Sequence, residues 1–166
     1  MTVATRGVIF IHSAPSALCP HVEWAIAGVL GLPVDLDWIA QPVEQGTYRA
    51  ELSWSGAAGT AATLASSMRG WQDVRFEVAE EPTVSSEGAR FSYTPSLGIF
   101  HAPTGLHGDM MIPEDRIRAC LVRAHRGEIA LEKSLEQLLG HAWDSELEPF
   151  RQAGEGTRVR WLHQVV

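Results

Sequence analysis

The sequence predicts an α+β protein, and three observations carry this expectation. The length of 166 residues, with 45% hydrophobic and 20% charged residues, fits one compact domain. Apolar residues recur at helical spacing over residues 20–30 and 57–69. Strand-like patterns, either continuous apolar runs or strict alternation, occupy four short segments: residues 8–11, 34–38, 48–54 and 74–78.

Residues 8–11 form an unbroken apolar run, which is typical of a central strand covered on both faces. The first helix starts near Pro20, because proline suits the first helical turn, and Gly31 ends it. Residues 34–38 and 48–54 alternate in polarity, and a loop with proline and glycine between them predicts a hairpin.

A second helix and a fourth strand complete the order β-α-β-β-α-β. This is the order of the ferredoxin-like split βαβ arrangement, so we expect a ferredoxin-like portion over residues 1–81. Residues 80–88 are charged and contain proline and glycine, which indicates a connecting segment.

The second half is expected to form a C-terminal extension over residues 89–166. Its pattern predicts these elements: strands at 89–94 and 97–101, helices at 113–125 and 128–139, a last turn at 145–151 and a closing strand at 158–165. Because this half is poor in core residues, we expect a single domain, residues 1–166. Its extension would then pack on the sheet face opposite the first two helices.

Charge and composition exclude some classes of function. The formal net charge of −7 repels phosphate backbones, so no nucleic-acid partner is expected. No apolar run reaches the roughly 18 residues of a membrane span, and no signal peptide is recognisable. Two distant cysteines predict reduced thiols and a cytoplasmic location. The residues expected on an open sheet face are also unsuited to stacking RNA bases: Asp35, Asp37, Arg49, Glu51, Arg75 and Glu77.

The segment from His12 to His21 is the first candidate site. It leads from a strand to a helix start, where free backbone N–H groups suit an anion. The same position would lower the pKa of Cys19, so that a thiolate with His12 or His21 as base is conceivable. The alternative is structural: Ser16 and Cys19 cap the helix, and the histidines satisfy local hydrogen bonds.

A second segment rich in histidine follows a later strand. His101, His107 and Asp109 are potential metal ligands, but their spacing matches no zinc signature, so we expect a turn and no metal. Both segments leave strands through Ala-Pro turns, which predicts that they meet at one rim of the sheet. The candidate ligand-binding residues are His12, Ser13, Ser16, Cys19, His21, His101, His107 and Asp109. No catalytic residue is assigned, and no cofactor is expected.

The helix at residues 113–125 has an arginine-rich side. Arg116, Arg123 and Arg126 lie on the half of the helical wheel opposite Ile117, whose side is expected to face the core. These arginines could receive an acidic helix or a phosphorylated ligand. Alternatively, they pair with an acidic stripe on the next helix, formed by Glu128, Glu132 and Glu136.

Four segments give the chain a specific resemblance. TRGV at residues 5–8, HSAPSALCPHVEW at 12–24, GTYRAEL at 46–52, and SYTP with LGIFH at 92–101 are similar to an actinobacterial family of uncharacterised proteins, domain of unknown function 3145. Twelve arginines against one lysine, and no asparagine, indicate a GC-rich genome and agree with that origin. The resemblance implies no activity. It implies a link to fatty-acid synthesis, with an acyl carrier protein or another component of that pathway as partner.

These observations favour a non-enzymatic binding or adaptor protein. Ferredoxin-like sheets often bind small ligands or form edge-to-edge dimers, so a homodimer stays open by analogy of fold. The alternative is a small hydrolase or transferase that uses the segment from His12 to His21 together with His101 or His107.

Overall fold

The computed structural model describes residues 3–153 and has the predicted α+β class. Its strands are β1 (Ala4–Pro15), β2 (Ile39–Ala40), β3 (Thr47–Ala57), β4 (Arg75–Glu80), β5 (Gly88–Thr94) and β6 (Gly98–Thr104). Its helices are α1 (Cys19–Leu30), α2 (Thr60–Met68), α3 (Glu114–His125), α4 (Leu131–Leu138) and α5 (His141–Gln152). A short 3-10 turn, Ser16–Leu18, joins β1 to α1. The predicted closing strand at residues 158–165 lies outside the described residues.

The six strands form one antiparallel sheet in the order β2-β3-β1-β4-β5-β6. The predicted central position of the first strand is confirmed, because β1 pairs with β3 on one side and β4 on the other. This strand extends well beyond its apolar run. Its polar residues are accommodated by specific bonds, such as that from the Thr5 hydroxyl to the Glu81 carbonyl at 2.7 Å.

Helices α1 and α2 cover one side of the sheet, which we call the α1–α2 face. The core between them is built from alternate strand residues and the inward sides of both helices: Ile9, Ile11, Val22, Ile26, Leu64, Met68, Phe76 and Val78. Helix α2 starts at Thr60 instead of the predicted residue 57 because β3 continues through Ala57. The buried Glu80 carboxylate accepts hydrogen bonds from the N–H groups of Gly59 and Ala61, both at 2.8 Å, which fixes this helix start.

The predicted strand at residues 34–38 is wrong. The Glu23 carboxylate on α1 accepts hydrogen bonds from the Leu36 N–H and from the Trp38 indole N–H, each at 2.9 Å. This segment is therefore held by a helix side chain, and the sheet pairing begins only at Ile39, opposite Arg49.

The second half contributes to the sheet as well as covering it. Residues 81–87 connect β4 to β5 in a hairpin, and β5 and β6 extend the sheet. The sequence predicts only that the second half packs on a face of this sheet. Helix α5 lies on the other side of the sheet from α1 and α2, which we call the α5 face. Arg151 of this helix contacts Glu77 of β4 there, and the expected open face is therefore covered at this point.

Candidate functional site

His12 and Ser13, the first two predicted site residues, lie inside β1 and not in a loop. His12 is buried, and its Nε2 lies 2.7 Å from Oε2 of Glu77. The hydroxyl of Ser13 accepts a hydrogen bond of 3.2 Å from Arg75 Nη1. Both side chains are therefore held by partners on β4, at a point where the register between β1 and β4 shifts.

Ser16, Cys19 and His21 do not form a reactive group. The Cys19 thiol is buried and donates to the Pro15 carbonyl oxygen at 3.5 Å. Burial, followed by the negative charge of Glu23, raises the pKa of Cys19, so the predicted lowering at the helix start is wrong. Ser16 is exposed and makes no side-chain cap, and His21 is exposed with its ring edge-on to Trp24 at 5.2 Å.

His101, His107 and Asp109 lie at a distance from the first segment. His101 is part of β6 and stacks on Phe91 at 4.5 Å, and burial, with the nearby charge of Arg116, lowers its pKa. His107 and Asp109 are exposed in the turn after β6, where the Asp109 carbonyl oxygen accepts from Gly105 N–H at 2.9 Å.

The predicted meeting of the two segments is wrong. Thr104, at the end of β6, pairs with Gly88, whereas Pro15, at the end of β1, pairs with Thr47. Because β1 and β6 run in opposite directions within the antiparallel sheet, their C-terminal ends point towards opposite ends of the strands of the sheet. Within residues 3–153, no three His, Cys, Asp or Glu side chains are grouped so as to hold a metal ion.

A buried charge cluster on the α5 face is the main feature that sequence reasoning missed. Glu77 is fully buried, and its carboxylate accepts hydrogen bonds from three side chains. His12 donates at 2.7 Å, the Ser92 hydroxyl at 3.0 Å, and Arg151 donates through Nε at 2.9 Å and through Nη2. Asp144 accepts a further bond from Arg151 at 2.9 Å.

The cluster fixes the charge state of its members. Burial acts to raise the pKa of Glu77, but the hydrogen bonds and charges of His12 and Arg151 outweigh it and lower the pKa to about 2. Burial acts in the opposite sense on Arg151, and its bonds to Glu77 and Asp144 leave its pKa raised. Glu77 is therefore an ionised acceptor at neutral pH, and His12 is the donor in their bond.

A cleft of about 240 Å³ opens beside this cluster on the α5 face. Its floor and walls come from β1, β2, β3, α5 and the segment that precedes β2. The lining residues are Phe10, Ile11, His12, Asp37, Ile39, Arg49, Ala50, Glu51, Phe150 and Arg151. Of the eight predicted ligand-binding residues, His12 alone is among them.

Helices α3 and α4, residues 114–138, form a poorly covered arm, which we call the α3–α4 arm. The expected inward side of α3 is largely exposed, since Ile117 is 39% and Leu121 50% exposed, while Cys120 is buried. Arg123 and Arg126 lie 3.6 and 3.9 Å from Glu128, so one residue of the predicted acidic stripe pairs with two of the predicted arginines. The arm thus offers apolar and basic side chains together.

The fold and these surfaces define an α+β protein with an antiparallel six-stranded sheet, a mixed-charge cleft and an exposed helical arm. The chain belongs to the family described as Protein of unknown function (DUF3145), whose model matches residues 8–164. No curated protein and no solved structure matches the chain significantly. Among residues 3–153, no helix is long and apolar enough to cross a membrane.

Proposed function

We propose that this protein is a non-enzymatic adaptor that docks an acidic protein partner on the α3–α4 arm. The exposure of large apolar side chains beside arginines on this arm carries the proposal. Exposed apolar patches with a polar rim are typical of protein interaction sites.

The apolar part of the surface is extensive for so short a segment. Its exposed side chains are Ile117 at 39%, Leu121 at 50%, Val122 at 47%, Leu131 at 37% and, just after α4, Leu139 at 49%. By contrast, α3 buries only Cys120 and α4 only Ser134. Most of the apolar area of the arm is therefore available to a partner.

The charge of α3 favours an acidic partner. Four exposed arginines, at positions 116, 118, 123 and 126, lie on or next to this helix, in a chain whose net charge is −7. Arg118 pairs with Glu114, and Arg123 with Glu128, but these pairs are exposed and contribute only about 0–1 kcal/mol each. A partner carboxylate or phosphate can replace such a bond at little cost.

The alternative of a small hydrolase or transferase loses its basis. It requires the segment from His12 to His21 to share a site with His101 or His107, and the sheet register separates them. The raised pKa of Cys19 also disfavours a thiolate nucleophile at neutral pH.

Three further points belong to the same proposal. The strand order β2-β3-β1-β4, with α1 and α2 on one face, supports a ferredoxin-like unit in the first half. The two cysteines, Cys19 and Cys120, are buried and free, which supports a reducing, cytoplasmic location. Arginine-rich composition supports an actinobacterial source.

The partner class is tested with an acyl carrier protein, because such proteins present acidic helices and a phosphopantetheine arm. We expect the native chain to retain the carrier protein in a pull-down at low salt and to release it as ionic strength rises. The triple variant Arg116→Glu, Arg123→Glu, Arg126→Glu should lose this binding. The control is Arg6→Glu with Arg69→Glu, which reverses exposed charges away from the arm and should bind normally.

Equal binding by the triple variant, or no salt-sensitive binding by the native chain, would reject the carrier protein as partner. Sedimentation of the native chain alone tests the alternative that the arm binds a second copy of the chain. A dimer that Leu121→Ser converts to monomer would mean that the arm binds a second copy of this chain instead.

A further inference from the structure

We infer that two copies of this chain form a symmetric dimer through the outer side of α1, where Trp24 of each copy packs over Gly28 of the other. This contact is separate from the proposed adaptor function, because neither residue belongs to the α3–α4 arm. Three observations lead to it: an exposed ring, a helical glycine that the fold does not need, and two helices with no charge on their outer side.

Trp24 presents a large apolar ring to solvent. It is 68% exposed, more than any other large apolar side chain on the helices of residues 3–153. The ring of His21, one turn earlier on α1, lies edge-on to it at 5.2 Å and helps to fix its position. Exposure of so much apolar area to water is unfavourable, and tryptophan is enriched among the residues that anchor protein interfaces.

Gly28 follows Trp24 by one turn, on the same side of α1. Its backbone is helical, and glycine at such a position destabilises a helix relative to alanine. A Cβ atom at Gly28 would meet no neighbouring heavy atom within 4 Å in the described part of the chain. Packing within the chain therefore does not require this glycine, whereas close approach of a second molecule does.

The charges of α1 and α2 favour a second copy as that molecule. Glu23 is the only Asp, Glu, Lys or Arg in these two helices, and its carboxylate already accepts from the Leu36 N–H and the Trp38 indole. The exposed residues of α2 are all small and uncharged: Ala62, Thr63, Ser66 and Ser67. Copies with a net charge of −7 repel each other, and contact through an uncharged side brings no like charges together. A strongly charged partner, by contrast, would find no groups here with which to pair.

An antiparallel crossing of two α1 helices uses the ring and the glycine together. In a two-fold contact, a residue that faces a second position on the partner is matched by the reverse contact. When the two-fold axis passes midway between Trp24 and Gly28, each ring lies over the glycine of the other copy. The two positions are about 6 Å apart along the helix, so one crossing forms both contacts.

The available area fits a weak, reversible dimer. Helix α1 has 12 residues and is about 18 Å long, and α2 packs beside it at a typical distance of about 8–10 Å. The two helices thus present a surface of roughly 18 by 20 Å. This approaches the roughly 500 Å² per copy that the smallest specific interfaces bury.

Sedimentation velocity of the full chain over a range of concentrations tests the dimer. We expect a reversible equilibrium between monomer and dimer. On dilution, the amide chemical shifts that move should be those of α1 and α2.

Two variants locate the contact. Trp24→Ser should weaken dimerisation at least about tenfold, because it removes both rings from the interface. Its control is Leu106→Ser, which removes another large apolar side chain that is 77% exposed but lies after β6, and which should dimerise as the native chain does.

Gly28→Ala separates dimerisation from folding. The added methyl group occupies the place of the partner's ring and should weaken dimerisation by about threefold or more. In the monomer, the same Cβ atom enters open space, so the dilute variant should be at least as stable as the native chain. A loss of dimer in this variant therefore cannot be attributed to unfolding.

Four results would overturn the inference. The first is a native chain that stays monomeric at about 100 μM. The second is a dimer that persists unchanged in Trp24→Ser or in Gly28→Ala. The third is a dimer that Leu106→Ser weakens as much as Trp24→Ser does, which would indicate unspecific apolar association, or one that Leu121→Ser abolishes, which would place the contact on the α3–α4 arm. The fourth is growth into oligomers larger than a dimer, which a closed two-fold contact does not allow.

Discussion

Replacing Arg151 with methionine should destabilise the protein more than any loss of a surface ion pair. Methionine keeps much of the length of the side chain but removes every hydrogen bond that Arg151 gives to Glu77 and Asp144. Glu77 is fully buried and would be left with His12 and Ser92 as its donors. A buried carboxylate with too few partners is costly, because burial opposes its charged form.

The size of the effect follows from the pKa of Glu77. This pKa falls from 4.5 to about 2 on folding, and each unit corresponds to about 1.4 kcal/mol. The charged carboxylate is thus favoured by about 3 kcal/mol in the native protein. Arg151 provides two of the four hydrogen bonds that the carboxylate accepts, and it is its fixed positive partner. Arg151 supplies part of this stabilisation, and removing one partner of a buried ion pair also leaves the other charge poorly compensated, at a typical cost of about 3–5 kcal/mol; we therefore expect Arg151→Met to reduce the free energy of unfolding by about 3 kcal/mol.

Urea unfolding at pH 7, followed by circular dichroism, measures this loss. The double variant Glu77→Gln, Arg151→Met is the control, because it removes the charge along with its partner. It should be more stable than Arg151→Met alone by about 1–2 kcal/mol. A single variant within about 1 kcal/mol of the native protein, or a double variant less stable than the single one, would refute the electrostatic account of this cluster.

The same cluster sets a direction for the pH dependence of stability. The pKa of Glu77 is lower in the folded than in the unfolded chain, so its contribution is complete above about 4.5. It is lost as the pH falls from there towards about 2. In Glu77→Gln, the free energy of unfolding should decline less over this interval, and an unchanged slope would contradict the assignment.

Two further substitutions test the fold, each with a control substitution of the same kind. Glu80→Ala should lower the free energy of unfolding by about 1–3 kcal/mol, because it removes both carboxylate acceptors at the start of α2. Its control is Glu81→Ala, which breaks an exposed ion pair and should cost less than about 1 kcal/mol in the same urea assay. Gly7→Ala should destabilise the protein by more than about 2 kcal/mol, because a Cβ atom there would overlap a backbone carbonyl oxygen of β4. Its control is Gly28→Ala within α1, where a Cβ atom would enter open space, and this substitution should stabilise the protein by about 0.5–1 kcal/mol. Similar free energies of unfolding for the two members of either pair would contradict the packing described.

Local sequence patterns predict a helix or strand of this protein correctly where contacts within that segment determine its structure. The helix predicted over residues 20–30 is α1, because Pro20 and Gly31 fix its ends through their own backbone preferences. The segment at residues 34–38 fails for the opposite reason. Its polarity alternates as in a strand, but the Leu36 N–H donates to the carboxylate of Glu23 on α1, thirteen positions earlier in the chain.

The candidate sites depend on distances along the chain that no local pattern reports. Arg151 reaches Glu77 across 74 positions, and an alternating strand does not reveal which face a helix will later cover. Similar Ala-Pro pairs in β1 and in β6 do not bring the two histidine segments together. Strand direction decides location, and β1 and β6 are antiparallel. The arginines of α3 are predicted as a partner surface, but the exposure of its apolar side is not, since helical periodicity shows which side is apolar and not whether anything packs on it.

The link between Glu77 and Arg151 also constrains how the chain matures during synthesis. At about 5–20 residues per second, Arg151 is added roughly 4–15 s after Glu77, because 74 positions separate them. Until Arg151 is available, the Glu77 carboxylate has only His12 and Ser92 as side-chain donors, and the α5 face of the sheet is exposed to water. The buried ion pair between Glu77 and Arg151 therefore forms late in synthesis. A ribosome-bound chain that ends before Arg151 should be captured by a chaperone or cleaved by a protease at the α5 face.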